Sequence, residues 1–241
     1  MPASHHRESR AVVWARVWFA FVALVIIVSI GIQMALLFTG GADANSGESG
    51  VGVDVGVRLF RLFLYFTMDS NVVVMLVCLG LIADPLRTGF WWESLRLNAV
   101  LAITVTGVVY NTILAPGINL GGWAQATTVG LHVVSPLAFV GGWLVFGPRR
   151  RLPLATVPAA FVLPLLWIGF TFVHGGITGW YPYPFLDVTV LGFVPALVNA
   201  AVILTASAGL GLIYRFVGAT RPGLLPQGSE TATLPGRVAG P

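Results

Sequence analysis

Between Arg96 and Arg149 the chain carries no charged residue, a run of 52 positions (97–148). A helix needs about 20 apolar residues to cross the hydrocarbon core of a bilayer, so this run holds enough for two crossings. Pro116-Gly117 and Gly121-Gly122 interrupt it midway, and such pairs mark turns. The pattern predicts a hairpin of two membrane helices over 97–115 and 124–146. Similar runs predict spans over 17–38, 59–83, 154–174 and 191–216, with Arg61 at the outer end of the second and Asp69 within it the charges they hold before Arg215. Charged residues make up 9% of the chain and hydrophobic residues 56%. A water-facing surface needs about 25% charged residues, so lipid must be the outer solvent. The expected fold class is all-α, a polytopic integral membrane protein of six transmembrane helices.

The first span is expected to be retained as a helix. Its apolar core of about 22 residues exceeds the 7–15 of a signal peptide, and no small-x-small site ends it. All 13 basic residues are arginines, and they set the orientation. Eleven fall on one side: Arg7, Arg10 and Arg16; Arg87 and Arg96; Arg149, Arg150 and Arg151; Arg215, Arg221 and Arg237. Arg58 and Arg61 are left for the other, with Asp43, Glu48, Asp54 and Asp187. Basic loops stay cytoplasmic, which predicts both termini inside. The expected organisation is a cytoplasmic tail (1–16), a six-helix domain (17–218) and a disordered cytoplasmic tail (219–241) rich in Pro, Gly and Thr. The Gly/Ser/Asp-rich outer loop (39–56) is expected to be similarly loose. Trp14, Trp18, Trp91, Trp92, Trp123 and Trp180 near helix ends are interface anchors. The arginines sit in loops and tails, which argues against a nucleic-acid surface. The single Cys78 forms no intrachain disulfide, and no metal or cofactor is expected.

Polar groups within the spans gather toward the outer face. Span two carries Thr67, Asp69, Ser70 and Asn71; span four carries Thr127, Thr128, His132 and Ser135; Tyr110, Asn111 and Thr112 end span three; His174 ends span five. Counted from the outer boundaries, Thr67 and His132 each lie about 12 Å deep. Thr67, Ser70, Asn71 and Val74 share one helical face, as do Thr128, His132, Ser135 and Phe139. Intramembrane polar groups are costly and usually face the bundle interior. A buried Thr more often simply bonds a backbone carbonyl, and a lone His more often links helices. Asp69 must be paired, protonated or hydrated, with Arg58 or Arg61 within reach. A hydroxyl and an imidazole at one depth could also make a nucleophile–base pair for acyl transfer. Asp69 would then be the orienting acid, and Asn71 or Tyr110 the oxyanion donor.

Three ordered segments carry a resemblance: Tyr65-Phe66-Thr67-Met68-Asp69-Ser70-Asn71; Trp123 to Phe139 with Leu131-His132-Val133 and Pro136-Leu137; and Val173-His174-Gly175-Gly176-Ile177-Thr178-Gly179-Trp180-Tyr181-Pro182-Tyr183-Pro184-Phe185-Leu186. Together they resemble the androgen-induced and androgen-dependent membrane protein family, with its bacterial six-pass relatives, over residues 10–218. The resemblance implies an intramembrane hydrolase of lipid esters, in animals those of fatty acid esters of hydroxy fatty acids, in a bacterial plasma membrane. It assigns a threonine nucleophile to Thr67 and a histidine base to His132. Val133 departs from the animal pattern, which has Thr there. Asp69, Ser70, Asn71, Tyr110, Asn111, Ser135, His174, Trp180 and Tyr183 are the candidate substrate-binding groups. The expected partners are an acyl-ester or lipid substrate and membrane lipids. The competing expectation is a transporter or lipid-binding protein with a hydrated cavity and no chemistry. Against transport, no inverted repeat is visible.

Overall fold

The computed structural model describes residues 2–147, 152–221 and 223–225. Among them the secondary structure is helical, with no strand. The helices are α1 (Pro2–Phe38), α2 (Val55–Leu62), α3 (Phe66–Ala83), α4 (Phe90–Val109), α5 (Gly122–Val129), α6 (Ser135–Phe146), α7 (Thr156–Ala160), α8 (Val162–Thr178), α9 (Val188–Leu191) and α10 (Phe193–Thr220). Five segments are long and apolar enough to cross a membrane: Arg10–Phe38, Phe66–Ala83, Phe90–Gly117, Gly122–Phe146 and Phe193–Thr220. The sixth apolar helix, α8, has 17 residues, about 26 Å of rise against a core of about 30 Å. Large apolar side chains point outward along it, Leu166 at 64% and Ile177 at 80% exposure. Lipid accommodates such a face; water does not.

Two expected spans are broken. The first break divides 59–83 into α2 and α3 at Phe63–Tyr65. There the Leu64 carbonyl accepts from Trp167 Nε1 at 3.0 Å, and Tyr65 is extended (φ −74°, ψ 125°). Thr67 is therefore the second residue of a new helix rather than eight residues into an old one. The second break divides 154–174 into α7 and α8. Pro164 has no N–H for the Ala160 carbonyl, and the Asn98 amide donates there instead, at 2.7 Å.

Three other expectations change. The segment 2–16, expected as a tail, is the first part of α1. The outer loop is tied down rather than loose. Asp43 accepts from the backbone N–H of Asn45 (2.7 Å) and of Ser46 (3.3 Å), and Ala44 N–H donates to Gln33 Oε1 (3.1 Å). Arg58 donates to the carbonyls of Leu37 and Gly41. Burial pushes the Asp43 carboxyl above the usual carboxylate range, against the pull of those N–H groups. Arg96 is not in a loop: it is buried in α4 and donates to the Gly147 carbonyl at 2.9 Å. Trp92, expected at an interface, is buried against Gly80 with the Arg87 guanidinium over its ring. Arg149 to Arg151, Arg237 and most of the expected C-terminal tail lie outside the described residues.

α1 packs on α3, α5 and α6, while α4 packs on α3, α6 and α7. Phe19 meets Phe139 and Phe146 edge-on at its middle. Inside lipid no water is expelled when helices meet, so close fit must hold them. Gly130 and Gly107 supply that fit beside His132. A Cβ on Gly130 would stand 2.0 Å from Ser29 Oγ, and one on Gly107 3.0 Å from Pro136 Cβ.

Candidate functional site: a threonine–histidine pair beside an apolar cavity

The site is shaped by two wide (π) helical turns, Tyr110–Leu114 after α4 and Gly130–Val134 between α5 and α6. Each is followed two residues later by a proline, Pro116 and Pro136. Such turns leave carbonyls without their usual partners. Ser135 N–H reaches back to Gly130 rather than to Leu131. The freed Leu131 carbonyl faces the Ser135 hydroxyl (3.1 Å) and the Asn71 amide (3.3 Å). Pro136 offers no N–H to the His132 carbonyl, which takes the Asn111 amide at 2.9 Å. Asn111 also donates to Gly107 at 2.7 Å, so one side chain joins both wide turns.

These bonds fix His132 in place. Its Nδ1 lies 3.1 Å from the Thr128 carbonyl. A carbonyl can only accept, so Nδ1 carries the hydrogen, and the lone pair of the neutral ring sits on Nε2. Nε2 is 3.1 Å from Thr67 Oγ1. The Tyr110 ring stacks on the imidazole, centroids 3.6 Å apart and planes 19° apart. Thr128 is anchored in turn, its hydroxyl donating to the Ala44 carbonyl at 2.7 Å. Thus the outer loop holds the carbonyl that holds the histidine.

Thr67 is set by the start of α3. Its N–H, which no earlier turn of α3 can satisfy, donates to the Tyr183 hydroxyl at 3.3 Å. That hydroxyl also lies 3.5 Å from Thr67 Oγ1. The Thr67 carbonyl accepts from Asn71 (2.8 Å) and Ser70 (3.1 Å). Ser70 pairs with Thr106 at 2.8 Å, and Asn71 Oδ1 faces Ser135 at 2.6 Å. Measured down their helices, Thr67 stands about 24 Å from Ala83 and His132 about 21 Å from Phe146. The two side chains meet, although the depth count for Thr67 from residue 59 does not survive the break before α3.

A cavity opens beside Thr67. Leu101, Val105, Tyr110, Trp167, Leu186 and Ile203 are among its walls, drawn from α4 and the wide turn after it, α8, the 184–186 turn and α10. Its lining is almost wholly apolar, with Thr67, Thr106, Ser207 and the two tyrosines its few polar side chains.

Of the expected site residues, Thr67, Ser70, Asn71, Tyr110, Asn111, His132, Ser135 and Tyr183 form one connected cluster. Asp69 does not orient His132: the Thr128 carbonyl occupies Nδ1. Neither expected arginine reaches Asp69, since Arg58 bonds the outer loop and Arg61 lies over the Trp180 ring at 4.9 Å. Asn71 and Tyr110 are not oxyanion donors. The Asn71 hydrogens are spent on two carbonyls, and Tyr110 is stacked on His132 with its hydroxyl at Thr128. His174 stands apart with Phe60, Phe170 and Trp180. Trp180 connects back to the site through Tyr65, which meets Tyr183. Among the described residues no three His, Cys, Asp or Glu side chains converge. Sequence reasoning missed Thr106 and the Thr128 carbonyl. Thr106 sits in a run of small and β-branched residues, and a backbone carbonyl leaves no trace in residue type.

Fold and site together define a helical integral membrane protein with a buried hydroxyl–imidazole pair whose threonine lines an apolar cavity. No family model, no curated protein and no solved structure matches the chain.

Proposed function

We propose that this protein is an intramembrane hydrolase of lipid esters, with Thr67 as nucleophile and His132 as general base. The observation that carries the reading is the contact of Thr67 Oγ1 with the lone-pair nitrogen of His132, where Thr67 forms part of the wall of an apolar cavity fit for an acyl chain. A hydroxyl attacks an ester only as its proton leaves, and Nε2 lies where it can take that proton. Thr67 Oγ1 adds to the carbonyl carbon, His132 returns the proton to the departing alcohol, and water then releases the acid. The apolar walls hold the acyl chain and exclude bulk water. Ordered resemblance at all three sequence segments supports the same roles. Six spans with both ends cytoplasmic complete the proposal, α8 being the sixth, in a bacterial plasma membrane.

Purified protein in detergent or nanodiscs, offered long-chain p-nitrophenyl esters, tests it. Thr67→Ala and His132→Ala are each expected to lower kcat by at least about 10²-fold while the thermal transition persists. Full activity in both variants would contradict the assignment. Bound lipid with no turnover in wild type would favour a lipid-binding protein instead.

A further inference from the structure

We propose that Tyr183 is the oxyanion donor of this site, its phenol O–H meeting the charge that forms on the ester carbonyl oxygen. This rests on the hydrolase reading and adds a catalytic group to it.

The argument begins with an inventory of protons around Thr67. Both Asn71 amide hydrogens are engaged, by Thr67 O and Leu131 O. Those of Asn111 go to Gly107 O and His132 O. Ser70 is shared between Thr106 and a carbonyl. Tyr183 differs from all of these. Its oxygen accepts the Thr67 N–H, which leaves its own hydrogen to donate. The nearest acceptor recorded for it is Thr67 Oγ1 at 3.5 Å, well beyond the 2.7–2.8 Å of a normal O–H···O bond. Thr67 Oγ1 has its short contact with His132 instead. In the resting site the phenol proton is underused.

Attack by Thr67 relocates the acceptor. Once Oγ1 bonds to the carbonyl carbon, the former carbonyl oxygen is one atom removed from Oγ1 and charged. The Tyr183 side chain lines the same cavity the ester must enter. A phenol that already accepts a backbone N–H is polarised into a stronger donor. The start of α3 adds the positive end of an 18-residue helix.

The phenol is also rigidly held, as a preorganised donor must be. Its ring stacks on Phe185 (5.2 Å, 3° between planes) and meets Tyr65 edge-on at 5.7 Å and Trp167 at 6.0 Å. Asn199 fastens the loop by donating to the Phe185 carbonyl at 2.9 Å. Gly179, at φ +72°, turns the chain out of α8 into this loop. Burial pushes the Tyr183 phenol up to about 12, so it keeps its proton at neutral pH, where His132 is wanted as a base.

The steps balance as follows. The Thr67 Oγ1–carbon bond forms, the hydroxyl proton passes to His132 Nε2, and the carbonyl π pair moves onto oxygen, facing Tyr183 O–H. That pair returns, the carbon–alkoxy bond breaks, and the alcohol leaves with the proton from His132. Water then attacks the acyl–Thr67 ester in the same manner. It gives a proton to His132, which returns it to Thr67. Tyr183 keeps its proton throughout.

Tyr183→Phe removes the hydroxyl and keeps the ring. Steady-state hydrolysis of a long-chain p-nitrophenyl ester should show kcat reduced about 10²- to 10³-fold, with KM little changed and the thermal transition still cooperative, lowered only by the loss of the Thr67 N–H partner. Unchanged kcat, or a rise in KM alone, overturns the proposal and leaves Tyr183 a loop anchor. Should the Phe variant misfold, a ring-fluorinated tyrosine at 183, with a more acidic phenol, decides the matter. A donor role moves the alkaline limb of the rate profile to lower pH; a structural role leaves the profile where it was. Thr67→Ala is run alongside. Full activity there sinks the hydrolase reading as a whole, whereas loss there with an intact Tyr183→Phe sinks the phenol's role alone.

Discussion

A threonine hydroxyl becomes a nucleophile only when a base lies within hydrogen-bond reach, and the tautomer of that base matters as much as its distance. His132 is held by a backbone carbonyl rather than by a carboxylate. A carbonyl fixes which nitrogen is bare but offers only a dipole to the imidazolium that forms, less than the charge of a buried Asp. Thr67→Ser keeps the hydroxyl and is expected to retain ester hydrolysis within about tenfold. Thr67→Val is nearly isosteric but leaves Nε2 unpaired. It should abolish turnover and cost about 1–3 kcal/mol, read from thermal melts in detergent. Activity in the Val variant would place the nucleophile elsewhere. Thr67 and His132 were legible because a polar side chain in an apolar run must face the protein interior. The same rule misled for Asp69. Two positions along a helix from Thr67, it lies roughly 200° around the axis and faces away from His132.

At the scale of elements, function depends on irregularity. Both wide turns and the break before α3 depart from a plain helix, and each delivers one component: the stacked Tyr110, the carbonyl-held His132, and the helix start at Thr67. Pro136→Ala would give the His132 carbonyl a backbone N–H of its own, in competition with Asn111. The expected result is a regularised helix, a rotated imidazole and at least about tenfold less activity, with thermal stability unchanged or higher. Equal activity would show that the wide turn does not set the ring. The sequence marked the turn at Pro116-Gly117. It gave no sign of the break at Phe63–Tyr65, where the residues are uniformly apolar or aromatic and Trp167, distant in sequence, fixes the corner. The outer loop misled in a similar way. Its Gly/Ser/Asp composition suggests slack, yet Asp43, Gln33 and Arg58 fasten it.

For the whole molecule, the number of crossings decides on which side the ends lie. Five crossings put the termini on opposite sides and six put them together, so α8 is the arbiter. Reporters fused before Pro2 and after the C-terminal residue are expected to be cytoplasmic alike, with a cysteine at Ser49 labelled only from outside. Termini on opposite sides would remove α8 from the spans. Spanning character was plain in the sequence, because charge-free runs of this length have no other solvent than lipid. The cavity was not, since it lies between helices whose relative tilt no residue pattern encodes. The central claim, that Thr67 reacts in the wall of this cavity with His132 as its base, is met most directly by a lipophilic fluorophosphonate and peptide mass mapping of the purified protein. The account predicts one phosphonate on the peptide carrying Thr67, absent after Thr67→Val and slowed after His132→Ala. An adduct on another residue, or none from a well-folded protein, contradicts it.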